Sequence, residues 1–407
     1  MPALPPFSVR SFRFQWPADL ATSLAFEMEA LIVGWYILAT TGSVQQLVAV
    51  AALAWFGSLF SPFFGMLGDR VGHRTLLLIA RGAYAVFAAL LTLLALTDVL
   101  APWHVFVLAA LAGLMRSSDI MVRGVLVGQT MPPGMLLAAL GLSRGTADIA
   151  RVVGAFAGAG GMALIGMGPA YALVMVIYVA ATLLSLGIAP ATPAAASRRE
   201  SHPLSDLKDG FRYVWHMPEQ LAAFSMTFLA NLLAYPFVLG LLPYVAKEVY
   251  GAGQAVLAYL VAAFWLGSLL GSVAVGSGPP FRAARVMLCS AVLWFIAILF
   301  FGLTSTLPVG IALLLFAGFV SSYCMTPLAA IMLRGADQSM RGRVMGVRML
   351  AVLGLPLGLV VAGTLIARYG FTATAALYGG LGLVSTFTIG YGWRHALWQR
   401  SAPANAR

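Results

Sequence analysis

Charged residues are scarce in this sequence. Asp, Glu, Lys and Arg make up 9% of its 407 residues, whereas hydrophobic residues make up 61%. A soluble domain needs a larger charged surface, so this composition excludes an ordinary globular protein and indicates a polytopic membrane protein. The net charge of +11 does not indicate nucleic-acid binding, because the basic residues fall in turns between apolar runs and have no interleaved aromatic face.

Cysteine is also rare, and motifs of enzyme chemistry are missing. Cys289 and Cys324 lie inside apolar runs without the spacing of a disulfide framework or a metal site, so we interpret them as packing residues. The sequence contains no phosphate-binding G-x-x-x-x-G-K-[ST] loop, no His/Cys cluster and no nucleophile motif with a positioned base. We therefore expect neither an enzyme nor a bound cofactor or metal.

Apolar runs long enough to cross a bilayer, about 20 residues each, follow one another along the chain. We place twelve of them, at roughly 16–41, 46–68, 76–97, 102–125, 136–165, 169–189, 219–246, 254–276, 284–304, 308–333, 342–367 and 371–393. Gly57-Ser58-Leu59 recurs as Gly267-Ser268-Leu269, as a duplicated unit would give. The sequence predicts an all-α membrane protein with twelve transmembrane helices in two pseudo-symmetric six-helix bundles.

The longest polar interruption separates the sixth run from the seventh. We predict a first bundle over 1–189, a cytoplasmic linker over 190–218, and a second bundle with a short tail over 219–407. Apolar residues at helical spacing in the linker predict an amphipathic helix at the membrane surface. Basic residues concentrate at alternate ends of the runs, so the positive-inside rule places both termini in the cytoplasm and the chain in the cytoplasmic (inner) membrane.

A polar turn, Gly65-Met66-Leu67-Gly68-Asp69-Arg70-Val71-Gly72-His73-Arg74, connects the second run to the third. Its glycines permit a tight connection, and its aspartate lies beside two arginines, so paired charge can clamp neighbouring helix ends. The alternative is a solvated loop whose arginines only follow the positive-inside bias.

The pattern G-x-L-x-D-R-x-G-x-R in this turn resembles the loop signature of the major facilitator superfamily. The resemblance implies a conformational lock at the cytoplasmic face, formed by Gly65, Asp69, Arg70, Gly72 and Arg74. Weaker motifs, Met28-Glu29, Arg116-Ser-Ser-Asp119 and Gly210-Phe211-Arg212-Tyr213-Val214, are similar to the branch that includes the enterobactin exporter and macrolide efflux proteins. This branch implies export of a small molecule driven by proton antiport.

Two ladders of charge lie inside the fourth and fifth runs. Spacings of three and four residues place each ladder on one helix face, and charges in a membrane helix face protein or water. Two interpretations stay open: a clamp between the two helices, or an anion site formed where the deeper arginines of both ladders reach a central cavity. The ladders comprise Arg116, Asp119 and Arg123, and Arg144, Asp148 and Arg151.

The first run contributes three carboxylates, Asp19, Glu27 and Glu29. Glu27 and Glu29 lie about 200° apart around a helix, so they point to different neighbours. A carboxyl group in a poorly hydrated membrane site can exchange a proton during transport. All three are therefore proton-coupling candidates, with Glu29 first, and a static ion pair with an arginine is the alternative.

The seventh and tenth runs contain prolines, and such interruptions often line a cavity. A mixture of aromatic, amide and thioether side chains would suit an amphiphilic ligand, whereas ordinary helix packing is the alternative. The cavity candidates are Asn231, Tyr235, Tyr323 and Met325.

These features predict a secondary active transporter that works by alternating access. The resemblance favours proton-coupled export of a small amphiphilic molecule, such as a siderophore or drug. An uptake transporter for a nutrient or metabolite and a non-transporting scaffold or sensor stay open. We expect a monomer whose partners are a small-molecule substrate, a proton gradient and the lipid bilayer.

Overall fold

The computed structural model describes residues 5–189, 203–277, 282–334 and 341–395. These ranges form helices joined by short turns and contain no β-strand. The helices of the first half are α1 (Arg10–Thr41), α2 (Val44–Phe56), α3 (Ser61–Val71), α4 (His73–Leu96), α5 (Pro102–Thr130), α6 (Pro133–Ala155), α7 (Gly161–Ile165) and α8 (Met167–Leu186). A π-helix, Phe156–Gly160, joins α6 to α7, and a 3-10 turn, Gly57–Phe60, joins α2 to α3.

The second half begins with the short surface helix α9 (Pro203–His216), which covers much of the predicted amphipathic segment. The helices that follow are α10 (Pro218–Leu229), α11 (Pro236–Leu239), α12 (Leu242–Tyr244), α13 (Gln254–Ser277), α14 (Ala283–Leu303), α15 (Leu307–Arg334), α16 (Arg341–Ala351), α17 (Gly354–Tyr369) and α18 (Phe371–Gly392). Two further π-helices, Ala230–Ala234 and Val245–Val249, interrupt the stretch from α10 to α13.

Ten helical segments of the described residues are long and apolar enough to cross a membrane. The prediction of an all-helical membrane protein is therefore confirmed. Two of the predicted runs differ from the others. The segment Val44–Phe60 is a shorter apolar helix, and the stretch from Pro218 to Val249 is divided into short α- and π-helices.

The first helix lies at the centre of the first half. It packs against α2, α5, α6 and α8, while α4 packs against α5 and α8. In the second half, α15 packs between α13 and α14, and α18 packs against α14. The halves meet where α2 lies along α17 and where α6 lies along α13, so two helix pairs form most of the contact between them.

Glycines allow the closest helix crossings, and the same arrangement occurs in both halves. A Cβ atom on Gly57 would lie 2.1 Å from the carbonyl oxygen of Gly113, where the α2 segment crosses α5. At the crossing of α13 and α15, Cβ atoms on Gly267 and Gly318 would each lie 1.9 Å from a carbonyl oxygen of the facing helix. Small residues let membrane helices approach in this way, so the sequence repeat at Gly57 and Gly267 corresponds to a repeated packing contact.

Substitution at such a crossing should destabilise the protein. We expect Gly318→Ala to lower the free energy of unfolding by about 1–3 kcal/mol, the usual cost of overpacking, because its methyl group meets the backbone of Phe264. Gly380→Ala in α18 is the matched control, since no atom lies within 4 Å of its Cβ position. Thermal unfolding of the purified variants measures the difference, and equal midpoints would contradict the packing argument.

Candidate functional site

A buried network of four charged side chains joins the helices of the first half. The guanidinium group of Arg81, on α4, is fully buried and donates to Asp19 on α1, to Asp119 on α5 at 3.2 Å, and to the hydroxyl of Ser185 on α8 at 2.6 Å. Arg123 pairs with Asp119 one turn away on α5, and its Nε lies 3.7 Å from Asp19. Two arginines therefore balance two aspartates, and the network links α1, α4, α5 and α8.

Arg81 was missed by the search for spaced charges because it stands alone in the third apolar run. The sequence does point to Arg81, because a charge inside a spanning helix needs a partner, and a lone arginine in an apolar run is such a charge. Asp19, by contrast, is engaged by two arginines rather than facing the cavity. This environment matches the ion-pair alternative for Asp19.

A second cluster connects the two halves. The Arg151 side chain, on α6, lies 3.0 Å from Asp148 on the same helix and 3.4 Å from Glu27 on α1. Its guanidinium group also lies over the ring of Trp265, on α13, 4.1 Å from the ring centroid. The close approach of α1 depends on Gly154, whose Cβ would lie 2.7 Å from the Cβ of Glu27.

The two ladders contact the first helix rather than each other. Asp119 and Arg123 face Asp19, whereas Arg151 faces Glu27. The direct clamp between the fourth and fifth runs is therefore not the arrangement among the described side chains, because α1 packs against both helices and supplies the carboxylates. The side chain of Arg144 lies outside the described part of the chain.

Glu29 has a different environment from the other carboxylates of α1. It accepts hydrogen bonds of 2.6 Å from the hydroxyl groups of Tyr171 and Tyr178, both on α8. Among the described residues no ion pair includes Glu29. Glu29 is therefore held by neutral donors, whereas Glu27 and Asp19 are held by arginines.

Arg116 carries the opposite charge to Glu29 and, like Glu29, is held without an ion pair among the described residues. Its guanidinium group lies over the rings of Phe26 and Trp55, with centroid distances of 4.6 and 4.5 Å. No ion pair of the described residues includes it, and its Nε is buried without a hydrogen-bond partner there. Aromatic faces attract a cation through their quadrupole, so the stacking holds a positive charge that no described carboxylate pairs with.

Glu27, Glu29 and Arg116 line a central cavity of about 100 Å³ between the two halves. Its remaining walls are apolar and aromatic. The first half contributes most of them, including Phe26 and Trp55, and the second half contributes the residues Val238, Leu239, Gly240, Pro243, Val261 and Trp265. The cavity therefore combines both signs of charge with an apolar lining, and no group of metal-ligating side chains occurs among the described residues.

The four residues predicted to line the cavity do not contribute to this lining. Asn231 donates its amide to the backbone of Thr227, and Tyr235 packs against Trp294. Tyr323 lies against Phe319, and Met325 is buried in the core. Asn231 lies in the π-helix Ala230–Ala234 and Tyr235 directly follows it, whereas Tyr323 and Met325 belong to α15, which packs between α13 and α14.

The stretch predicted as a charged turn is mostly helical: residues 65–71 form the end of α3, and Gly72 alone separates α3 from α4. Gly72 has a positive φ of 89°, and Arg74 donates to the carbonyl of Leu186, at the end of α8, over 2.7 Å. Arg70 is exposed. The surroundings of Gly65 and the side chain of Asp69 lie outside the described part of the structure. The predicted lock therefore stays a prediction.

Removal of Arg81 should leave Arg123 as the one arginine of the network facing two buried aspartates, and so one negative charge uncompensated. We expect Arg81→Met to lower the free energy of unfolding by about 3–5 kcal/mol, the typical cost of breaking a buried ion pair. Adding Asp119→Asn to this variant removes one uncompensated charge and should restore part of the stability. Thermal unfolding measures both, with Arg368→Met, at an exposed helix end, as control. A midpoint for Arg81→Met equal to that of the control would contradict this account.

Comparison with known proteins places these observations in a family. The family model of the Major Facilitator Superfamily matches residues 16–352. The chain is also similar to the multidrug efflux pump Tap of Mycolicibacterium fortuitum, with 26% identity over 362 residues that span 84% of this chain and 85% of the relative.

Solved transporter structures share the fold at low sequence identity. The nucleoside transporter NupG has a TM-score of 0.72 at 15% identity, with coverage of 96% of this chain and 100% of that protein. The POT family transporter PepTSo has a TM-score of 0.75 at 12% identity, with coverage of 96% of this chain and 98% of that protein. The human organic anion transporter MFSD10 (TETRAN) has a TM-score of 0.67 at 17% identity, with coverage of 95% of this chain and 100% of that protein.

The family model covers far more than half of the chain, and all three structures share its fold. The chain belongs to the Major Facilitator Superfamily, whose members carry solutes across membranes and are not enzymes.

Proposed function

We propose that the protein is a secondary transporter of twelve transmembrane segments that works by alternating access around the central cavity. Ten segments are long apolar helices, and the stretches α2–α3 and α10–α12 supply the other two. Residues 1–189 and 219–407 then form two six-helix bundles, joined by a linker over 190–218. The repeated glycine crossings of α2 with α5 and of α13 with α15 support this duplication.

The small size of the cavity supports movement of the two bundles. Its volume of about 100 Å³ is less than the roughly 300 Å³ at the lower end of small-molecule sites. A drug-sized substrate therefore enters only after the bundles have moved apart. One contact between the two halves lies at the end of α1, where the ammonium group of Lys247 donates to the carbonyl oxygen of Leu38 over 3.3 Å.

The observation that carries the proposed function is the pair of unlike groups in this cavity. Arg116 offers a stacked cation, Glu29 offers a carboxylate held by two tyrosines, and the walls between them are apolar and aromatic. Such a lining suits a small amphiphilic molecule that carries polar or charged groups. The similarity to an efflux pump favours export, with siderophores and drugs as the classes to test.

Glu29 is our proposed proton-coupling group. Glu27 and Asp19 each lie within 4.0 Å of an arginine nitrogen, whereas Glu29 contacts tyrosine hydroxyl groups. A carboxyl group without a cationic partner can lose and regain its proton without breaking an ion pair. Protonation of Glu29 would change the net charge of the cavity beside Arg116, and this change couples the proton to substrate binding.

The orientation and the lock complete the proposal. The positive-inside distribution supports an orientation with both termini in the cytoplasm, and we propose a monomer in the cytoplasmic (inner) membrane. Asp69, with Gly65, Arg70, Gly72 and Arg74, is proposed to lock the cytoplasmic end when the transporter faces outward. The bond from Arg74 to the end of α8 supports a fixed turn at this position.

Loss of the Glu29 carboxylate should uncouple transport from the proton gradient. The purified protein is reconstituted into vesicles with an imposed pH gradient and tested with a panel of siderophores and drugs. We expect wild type to transport at least one of these compounds, and Glu29→Gln to reduce its transport to the level of protein-free vesicles.

The matched control is Asp98→Asn, which removes a carboxylate from a surface turn. Asp98 has φ of 57°, and asparagine tolerates this left-handed conformation, so the control should transport like wild type. Gradient-driven transport that is unchanged in Glu29→Gln would overturn the coupling role. Accumulation of a nutrient in the opposite direction would support an uptake transporter instead of an exporter.

A further inference from the structure

Tyr84, on α4, has a buried hydroxyl group without a hydrogen-bond partner among the described residues. The residue is 1% exposed. Its ring packs edge-on against Phe26, with a centroid distance of 5.0 Å, and lies 5.4 Å from the ring of Tyr178 on α8. Tyr84 does not line the central cavity and is not a member of the Arg81 network. A buried polar group without a partner is uncommon in proteins and needs a reason.

Tyr84 lies between the Glu29 carboxylate and the network around Arg81. It follows Arg81 by three residues on α4, so it lies on the same helix face, about 4.5 Å further along the helix. Glu29 follows Asp19, the partner of Arg81 on α1, by ten residues, or roughly 15 Å in the same direction. The charged groups whose fields reach the Tyr84 hydroxyl group are Glu29, Asp119, Arg116 and Arg123.

Three buried hydroxyl groups of α8 connect the same two places. They are spaced seven residues apart, which places them on one face of the helix. The first two donate to Glu29 and the third accepts from Arg81, over 2.6 Å in each case. With the hydroxyl group of Tyr84 they form a buried polar column between Glu29 and Arg81. The members of the polar column are Tyr171, Tyr178 and Ser185 of α8 and Tyr84 of α4.

Glu29 therefore has the cavity on one side and the polar column on the other. It lines the cavity, where a bound substrate would fill the space beside it, whereas the tyrosines of α8 do not line the cavity and stay in place. The far end of the column leads to water, because the side chains of Asp19 and Arg123 are 11% and 16% exposed, whereas those of Arg81 and Asp119 are fully buried. This end lies towards the start of α4 and the end of α8, the side that we propose is cytoplasmic.

We infer that Tyr84 is a proton-relay residue, through which the proton of Glu29 leaves by way of the polar column while substrate occupies the cavity. The carboxyl group gives its proton to the hydroxyl oxygen of Tyr178, and that hydroxyl group passes its own proton to Tyr84. Tyr84 passes a proton to Asp119 in the same way, and the proton reaches water at the exposed edge of the Arg81 network. Each hydroxyl group gains one proton and loses one, so both tyrosines end neutral. Rotation of a hydroxyl group or a bridging water completes each step.

This inference rests on the proposed role of Glu29 as the proton-coupling group, and a pH jump on the purified full chain in detergent tests it without a substrate. Infrared absorption of the protonated carboxyl group, identified by its loss in Glu29→Gln, gives the final protonated fraction and the rate at which it is reached. We expect Tyr84→Phe to reach the same fraction as wild type at each pH, because the tyrosines that hold Glu29 are kept. The variant should reach it roughly 10-fold or more slowly, since a positioned proton-transfer group contributes at least this factor.

The matched control is Tyr378→Phe, on α18. It also removes a buried tyrosine hydroxyl group, which donates to the carbonyl oxygen of Gly358 over 2.7 Å, but it lies in the second half, away from the polar column. Its rate and protonated fraction should equal those of wild type. Thermal unfolding provides a second comparison: the control should lose about 1 kcal/mol with its hydrogen bond, whereas Tyr84→Phe should lose nothing.

The possible results separate the relay from the proposed coupling role. If the Glu29 carboxyl group titrates and Tyr84→Phe is as fast as wild type, the relay is wrong and the coupling role stands. A change of the final fraction together with the rate would indicate an effect on the charge or packing of Glu29, and it would also refute the relay. If no carboxyl signal that depends on Glu29 changes with pH in wild type, both the coupling role and the relay are wrong.

Discussion

The cost of placing a charge inside a membrane is the constraint on which this structure depends. Each charged group in a spanning helix must find a partner of opposite charge, a neutral hydrogen-bond donor or an aromatic face. The first helix supplies most of these partners. Asp19 reaches Arg81 and Arg123, whereas Glu27 reaches Arg151 on another helix. The central position of α1 in the first half follows from this distribution of carboxylates.

The same constraint distinguishes the paired charges from those of the cavity. The network around Arg81 is balanced and buried, so it fixes helix positions and offers no group to a substrate. Glu29 and Arg116 are held by tyrosines and aromatic rings instead of by opposite charges. They can therefore change partners without first separating an ion pair, and for this reason we propose them as the groups for substrate binding and proton coupling.

Much of the fold could be predicted from the sequence because run length and hydropathy determine which segments cross a membrane. The site was predictable where helical spacing decides a contact, as between Asp119 and Arg123. Arg81 was missed because its partners lie on three other helices, which spacing within one helix does not reveal. Asn231 and Tyr235 were predicted to line the cavity because a proline interrupts their run, whereas the irregular stretch they belong to begins with a π-helix and neither residue lines the cavity.

If Glu29 is the proton-coupling group of an alternating-access transporter, as we propose, its protonation state also controls the movement of the two bundles. Spin labels at Thr40 and Glu248, both exposed near the contact of Lys247 with Leu38, report the separation of the bundles by pulsed electron resonance after Cys289 and Cys324 are replaced by serine. The account predicts two distances whose populations shift between acidic and alkaline pH, and a Glu29→Gln protein in which that shift is lost. Populations that do not depend on pH, or that shift equally without the carboxylate, would contradict it.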